Sequence, residues 1–118
     1  MRYQDLNVYK RSYKLALDIF VLMKKIPREY QYDIGNQLRR ASRAVPANIA
    51  EGCARQKSEK DTINFLRTAL GSNDEVFFHL EFSRDAGLLS ANEIAPLLGE
   101  SEVVGKQLNA LIKRVSSN

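Results

Sequence analysis

His79 and Cys53 are the only histidine and the only cysteine in the chain, which narrows the chemistry open to it. One cysteine excludes an intrachain disulfide and a cysteine-based zinc site. A di-iron site in a helical bundle needs a Glu from each of two helices and Glu-x-x-His from each of the other two. Here Glu75 and His79 are four apart, and no second histidine exists. His79 falls on an apolar line of its helix and reads as a packed side chain; a metal on an oligomer axis is the alternative. Cys53 reads as a small buried hydrophobe. Asp74 and Glu75 are adjacent, hence ~100° apart around a helix, which is ordinary surface chemistry. No Gly-x-Gly-x-x-Gly or Gly-Lys-Ser/Thr loop occurs, and Gly71-Ser72 falls inside a helical pattern. No nucleophile, base and orienting group assemble, so the chain reads as non-enzymatic, without metal or cofactor.

Cations are the other chemistry available. The run Gln37-Leu38-Arg39-Arg40-Ala41-Ser42-Arg43-Ala44-Val45-Pro46-Ala47-Asn48-Ile49-Ala50-Glu51-Gly52 sets Arg39 and Arg43 on one helical face. Arg40, Ala44, Asn48, Glu51 and Arg55 follow a neighbouring face. Arg39 and Arg43 have no acid at helical spacing, so they read as planar donors for phosphate oxygens. Arg40, Arg55 and Lys57 either join them or, for Arg40 and Arg55, pair with Glu51. A second basic run, Tyr9-Lys10-Arg11-Ser12-Tyr13-Lys14, offers rings for base stacking, although both tyrosines also sit where a packing seam requires them. Residues 1–60 hold 13 Lys/Arg against 6 Asp/Glu, and residues 61–118 hold 5 against 8, net +7 and −3. That asymmetry fits a nucleic-acid face or head-to-tail complementarity between subunits.

The elements that must position these groups are helices. The first is predicted over about Asp5 to Ile26, with Asp5 as N-cap and Pro27 as the stop. It carries two apolar seams: Leu6, Tyr9, Tyr13, Ala16, Phe20 and Met23, and Val8, Ser12, Leu15, Ile19, Leu22 and Ile26. Taken as an offset of two residues, a rotation of ~200°, the seams are expected to face nearly opposite ways. A surface helix needs one stripe. Two stripes sandwich this helix, within the domain or against a neighbouring chain, and Tyr9, Tyr13, Leu15, Ile19, Phe20 and Leu22 are the candidate oligomer contacts.

The second helix is predicted over about Tyr32 to Ala54, with a kink at Pro46. Ser58 and Asp61 form a capping-box variant that opens the third, which Gly87 closes as a C′ residue. Its seam is Ile63, Leu66, Leu70, Asn73, Phe77 and Leu80, with Phe65, Ala69, Val76 and His79 on a second line. Ser90 and Glu93 open the fourth, which either kinks at Pro96 or starts nearer Ala95. No alternating strand pattern appears. Connections at about 27–31, 55–57 and 87–89 are short, as in an antiparallel up-down-up-down four-helix bundle.

The chain of 118 residues, 44% hydrophobic and 27% charged, reads as one all-α domain over 1–118, neither disordered nor collagen-like. Leu15 to Met23, the longest nearly apolar stretch, is far short of the ~20 residues that span a bilayer. The first residues do not lead into a signal-peptide core, so a cytoplasmic protein without membrane contact is expected.

Three segments carry a family resemblance: Leu6-Asn7-Val8-Tyr9; Gln37-Leu38-Arg39-Arg40-Ala41 leading into Val45-Pro46-Ala47-Asn48-Ile49-Ala50-Glu51-Gly52; and Phe65-Leu66-Arg67-Thr68-Ala69-Leu70-Gly71-Ser72 followed by Glu75. In these the chain resembles the 23S rRNA intervening-sequence proteins, also called S23-like four-helix bundle proteins. Tyr9 stands where that family often has tryptophan. The resemblance implies a homopentameric barrel, similar to the accessory protein of diversity-generating retroelements, which acts with nucleic acid and a reverse transcriptase. Together with the +7 of the N-terminal half, the resemblance points to binding of RNA or DNA, with Arg39 and Arg43 as the first phosphate contacts and Arg40, Arg55 and Lys57 as further ones. A structural adaptor that recruits a protein partner, reverse-transcriptase-like or ribosome-associated, is the alternative.

Overall fold

Four long helices make up almost all of the computed structural model, which describes residues 2–55 and 57–116. They are α1 (Asn7–Met23), α2 (Asn36–Arg55), α3 (Glu59–Asp85) and α4 (Ala91–Ser116). The described residues contain no strand, and no helix is long and apolar enough to cross a membrane. Each helix packs on its neighbour in the chain, and α1 closes the ring against α4, in a bundle 46 × 23 × 20 Å. Arg11 reaches Glu100 at 2.8 Å and Lys25 reaches Glu93 at 3.0 Å across the α1–α4 seam.

Asp5 does not cap α1. Tyr3–Asp5 form a 3-10 turn whose amides look back along the chain, Asp5 N to the Arg2 carbonyl and Leu6 N to the Tyr3 carbonyl, both at 3.1 Å. The Tyr3 ring lies edge-on to Tyr9 with 4.9 Å between centroids, and this packing folds the segment onto the helix, which starts two residues beyond Asp5. Pro27 ends the helical run as expected, after one loose turn at 24–26. The seam from Val8 through Ser12, Leu15, Ile19 and Leu22 to Ile26 is buried throughout, and the other line does not oppose it: its members follow one residue later, ~100° round the helix, so Ala16 and Met23 are buried as well while Tyr13 and Phe20 stay exposed. Ser12 is tolerated there because its hydroxyl donates to the Tyr9 carbonyl at 3.0 Å.

The α1–α2 connection is longer than predicted, because a 3-10 turn (Arg28–Tyr30) and a wide π-helical turn (Gln31–Gly35) precede the α-helical ladder. Gln31 holds it. Its Nε2 donates to the carbonyls of Met23 and Ile26, both at 2.8 Å, which caps the end of α1. Arg39 then donates from Nη1 to Gln31 Oε1 (2.9 Å) and from Nη2 to the Gln31 carbonyl (3.0 Å). Helix α2 runs unbroken through Pro46, although the ring leaves the Ser42 carbonyl without its helical donor.

The α2–α3 contact is close. A Cβ on Gly52 would stand 2.8 Å from the Cβ of Phe65, nearer than two side chains approach, so the position has room only for hydrogen. Residue 56, within the expected 55–57 connection, lies outside the described residues. Ser58 Oγ accepts from Asp61 N at 3.0 Å, so the predicted cap forms. At the other end of α3, Gly87 adopts φ +76, and Leu88 N and Gly87 N bond back to the Ser83 and Arg84 carbonyls in a Schellman motif. Ser90 and Glu93 then form a full capping box: Glu93 Oε1 accepts from Ser90 N (3.2 Å) and Ser90 Oγ from Glu93 N (3.1 Å). Helix α4 therefore begins at Ala91 and continues through Pro96 rather than starting near Ala95. Inside the α3–α4 contact Asn73 Nδ2 donates to the Ser101 carbonyl (2.9 Å) and Ser101 Oγ to Asn73 Oδ1 (3.2 Å).

Three outcomes are expected. Gly52→Ala should lower stability by about 1–3 kcal/mol in urea titration, because the added methyl forces α2 and α3 apart. Arg39→Ala should cost about 1–3 kcal/mol by stripping Gln31 of its partners, while Arg43→Ala, on the surface, stays within about 0.5 kcal/mol of the parent. Glu93 has its pKa lowered by the Lys25 ammonium first, then by Ser90. A lowered folded value makes its contribution present above the ordinary carboxyl range and lost as pH falls through that lowered value. Glu93→Gln should thus be less stable than the parent at pH 7, and the two melting curves should converge only as pH falls below the lowered Glu93 value.

Candidate nucleic-acid interface

The cations that looked like one ladder in the sequence are divided among different tasks. Arg39 turns inward and is spent on Gln31, so its guanidinium is a clamp for the connection rather than a free phosphate ligand. A carboxylate was not needed to occupy it; a glutamine eight residues earlier sufficed. Arg55 pairs through Nε with Glu51 Oε1 at 2.9 Å and lies 5.5 Å over the Phe65 ring. Arg40, Arg43 and Lys57 are exposed and make no hydrogen bond or ion pair with the described residues.

The N-terminal basic run is largely used up by the fold. Arg11 is held by Glu100 and Lys14 by Asp18 at 3.0 Å, which leaves Lys10 exposed. Tyr9 packs between Tyr3 and Tyr13, and burial, helped by the two neighbouring phenols, pushes its hydroxyl pKa up.

Positive charge gathers instead where α1 passes into α2. Residues 24–43 contain Lys24, Lys25, Arg28, Arg39, Arg40 and Arg43 against Glu29 and Asp33, six minus two, which equals the formal +4 of the whole chain. Lys25 is held by Glu93 and Lys24 sits 5.5 Å over the Phe20 ring. Tyr32, in the π-helical turn, is 90% exposed, an unusual state for a tyrosine in an ordered segment. An exposed ring and the unpaired Arg28, Arg40 and Arg43 thus share one segment of the chain, and together such groups can stack a base and neutralise phosphates. Sequence reasoning passed over Tyr32 because it lay at the predicted start of a helix; its position between Arg28 and the arginine run was the available signal.

A second feature lies beside this corner. Tyr9, Tyr13, Leu17 and Phe20 of α1 and Pro46, Ala47 and Ala50 of α2 line an apolar groove of about 330 Å³, with Arg43 on its wall. Of the candidate oligomer contacts, Leu15, Ile19 and Leu22 are buried in this chain's own core and are not available to a neighbour. The exposed apolar groups on α1 are Tyr13, Leu17, Phe20 and Val21. Leu17 and Val21 lay on neither predicted seam. Phe78 and Phe82, one turn apart on α3, are also exposed, and they too fell outside both lines of that helix.

Among the described residues no three His, Cys, Asp or Glu side chains converge as a metal site. His79 is half-buried, edge-on to Phe78 at 5.2 Å. Cys53 is buried, and burial pushes its thiol pKa up, away from a reactive thiolate.

Comparison with known proteins agrees with the helical architecture. A crystal structure of a protein of unknown function from the S23 ribosomal protein family of Bacteroides thetaiotaomicron VPI-5482 superposes with a TM-score of 0.83 at 25% sequence identity, covering 90% of this chain and 98% of that one. No curated protein matches the sequence. The model of the 23S rRNA-intervening sequence proteins matches residues 4–110, nearly the full length of all four helices. The chain belongs to the 23S rRNA-intervening sequence protein family.

Proposed function

We propose that this protein is a non-enzymatic RNA-binding bundle of up-down-up-down topology that works as a homo-oligomer, with the corner between α1 and α2 as its nucleic-acid contact. The observation that carries the reading is the charge on residues 24–43, equal to that of the whole chain, in the same segment as the exposed Tyr32 ring. Arg28, Arg40 and Arg43 neutralise phosphates, Tyr32 stacks on an unpaired base, and Lys57 at the far end of α2 extends the contact. The family name, which refers to sequences that interrupt 23S rRNA, makes a structured RNA the first ligand to try. A subunit number of five rests on the family resemblance alone. Repetition around an axis would present the basic corner several times and multiply its field.

Fluorescence polarisation with a labelled RNA hairpin at low salt tests this reading. Affinity should fall steeply as salt rises, and each lost phosphate contact should flatten the log–log slope by about 0.7–0.9. Tyr32→Ala should weaken binding to a single-stranded loop by about fivefold to a hundredfold, and Arg28→Glu with Arg40→Glu by about tenfold or more. No affinity at low salt, or affinity indifferent to these changes, overturns it. Recovery of one stoichiometric protein after nuclease treatment, from a chain that binds no RNA, would favour the adaptor reading.

A further inference from the structure

The turn that carries Tyr32 is of an uncommon kind. Gln31–Gly35 wind as a π-helical turn directly ahead of α2, which starts at Asn36. Single turns of this sort take in about one residue more than an α turn and recur at functional sites. The extra residue decides which side chain faces Arg39. In an unbroken α-helix each residue advances ~100°, so Tyr32, seven residues before Arg39, would lie within about 20° of its line. Gln31, eight residues before, would stand about 80° away.

The wider turn winds the chain back by most of one residue's rotation, and the two side chains exchange places. Gln31 comes onto the Arg39 line, where the guanidinium donates to its Oε1 at 2.9 Å and to its carbonyl at 3.0 Å. Tyr32 swings off that line and is 90% exposed, whereas Arg39 is half-buried. Gly35 lies under the clasp: a Cβ there would stand 3.3 Å from Gln31 Oε1 and 3.4 Å from Arg39 Nη1, tighter than ordinary contact. We propose that Arg39, acting through Gln31, is a positioning residue for the Tyr32 ring, and that their clasp holds the turn in the wide form that presents this ring to RNA. The proposal rests on the RNA-binding reading above, and it gives a role to the arginine that the fold withdraws from phosphate.

The clasp is anchored on its other side in α1. Gln31 Nε2 donates to the Met23 and Ile26 carbonyls, each at 2.8 Å, so the amide is fixed from both directions. Rewinding the turn to the α form moves Gln31 off the Arg39 line and breaks these four hydrogen bonds together. Without the clasp nothing opposes the ordinary winding, which returns Tyr32 to the line of Gly35 and Arg39 at the side of the bundle. A ring fixed outward needs no rearrangement before a base stacks on it. The clasp therefore raises affinity through preorganisation rather than through contact.

The chain has no tryptophan, so Tyr32→Trp places a single indole at the turn and reads its exposure without RNA. Acrylamide should quench this indole as it quenches a free one. Adding Arg39→Ala or Gln31→Ala should lower the quenching constant and move the emission to shorter wavelength. The two variants open the clasp from opposite sides, so either one that folds by circular dichroism decides the point. Gly52→Ala, at the far end of α2, is expected to cost the bundle comparable stability and should leave the indole as exposed as before. Polarisation with the labelled hairpin, on chains that keep Tyr32, reads the consequence. Gln31→Ala changes no charge, so it should weaken binding about fivefold or more while the salt slope stays that of the parent. Combined with Tyr32→Ala it should add nothing further, because the ring it positions is already absent. The proposal is overturned by an indole equally exposed in the clasp variants, or by one shielded as much in Gly52→Ala. A Gln31→Ala loss that adds fully to that of Tyr32→Ala overturns it too. A parent that binds no hairpin overturns the RNA reading instead, and the quenching still decides whether the clasp sets the ring.

Discussion

The burial of the seam from Val8 to Ile26 sets the rotation of α1 about its own axis, and much of the outer surface follows from that rotation. Ile19 is completely enclosed and Leu15 nearly so, and neither can leave the core without opening a cavity beside α2 and α4. A helix is rigid around its circumference, so once one stripe is committed inward every other position is aimed as well. Tyr13, Leu17 and Phe20 are carried to the outside edge of the α1–α2 contact, where the small side chains of α2 leave them uncovered. The groove is thus the residue of a packing problem in which α1 bears more apolar surface than two neighbouring helices can hide.

The polar groups inside the bundle act on alignment rather than on bulk stability. Asn73 and Ser101 satisfy one another across the α3–α4 contact, and sliding either helix by a turn would leave an amide and a carbonyl unpaired in an apolar setting. Gly52 against Phe65 does the same for α2 and α3 by steric means. Gln31 and Arg39 perform the equivalent task at the α1–α2 connection, where Gln31 gives the Ile26 carbonyl a donor and the Met23 carbonyl a second one. Each helix pair joined in sequence therefore has its own local device for setting the two helices in register.

Electrostatics then divides the surface. Lys10, Lys24, Arg28, Arg40 and Arg43, on α1, α2 and the segment between them, make no ion pair with the described residues, and Lys57, Lys60, Arg67, Lys106 and Lys113 are spread over the rest of the surface. On α3 near Phe78 and Phe82, Glu81 and Asp85 are paired with Arg84, while Asp74 and Glu75 make no ion pair with the described residues.

Helix number, the buried seam of α1, the caps at Ser58 and Ser90 and the terminator Gly87 were all legible in the sequence, because each depends on residues within one or two turns of one another. So were the buried places of Asn73 and Ser101, from the period of their helices. What neighbouring helices do to a side chain was not legible. Arg39 and Arg43 share one spacing and one composition, yet one is folded over Gln31 and the other stands free, since the turn that brings Gln31 back exists only after α1 has ended at Pro27. Leu15 and Tyr13 both looked like interface candidates, and only the enclosure of α1 by α2 and α4 separated them. Local periodicity determined which faces of each helix are apolar; the tertiary arrangement decided which of those faces a single chain could cover, because coverage depends on the distance between helices that periodicity does not encode.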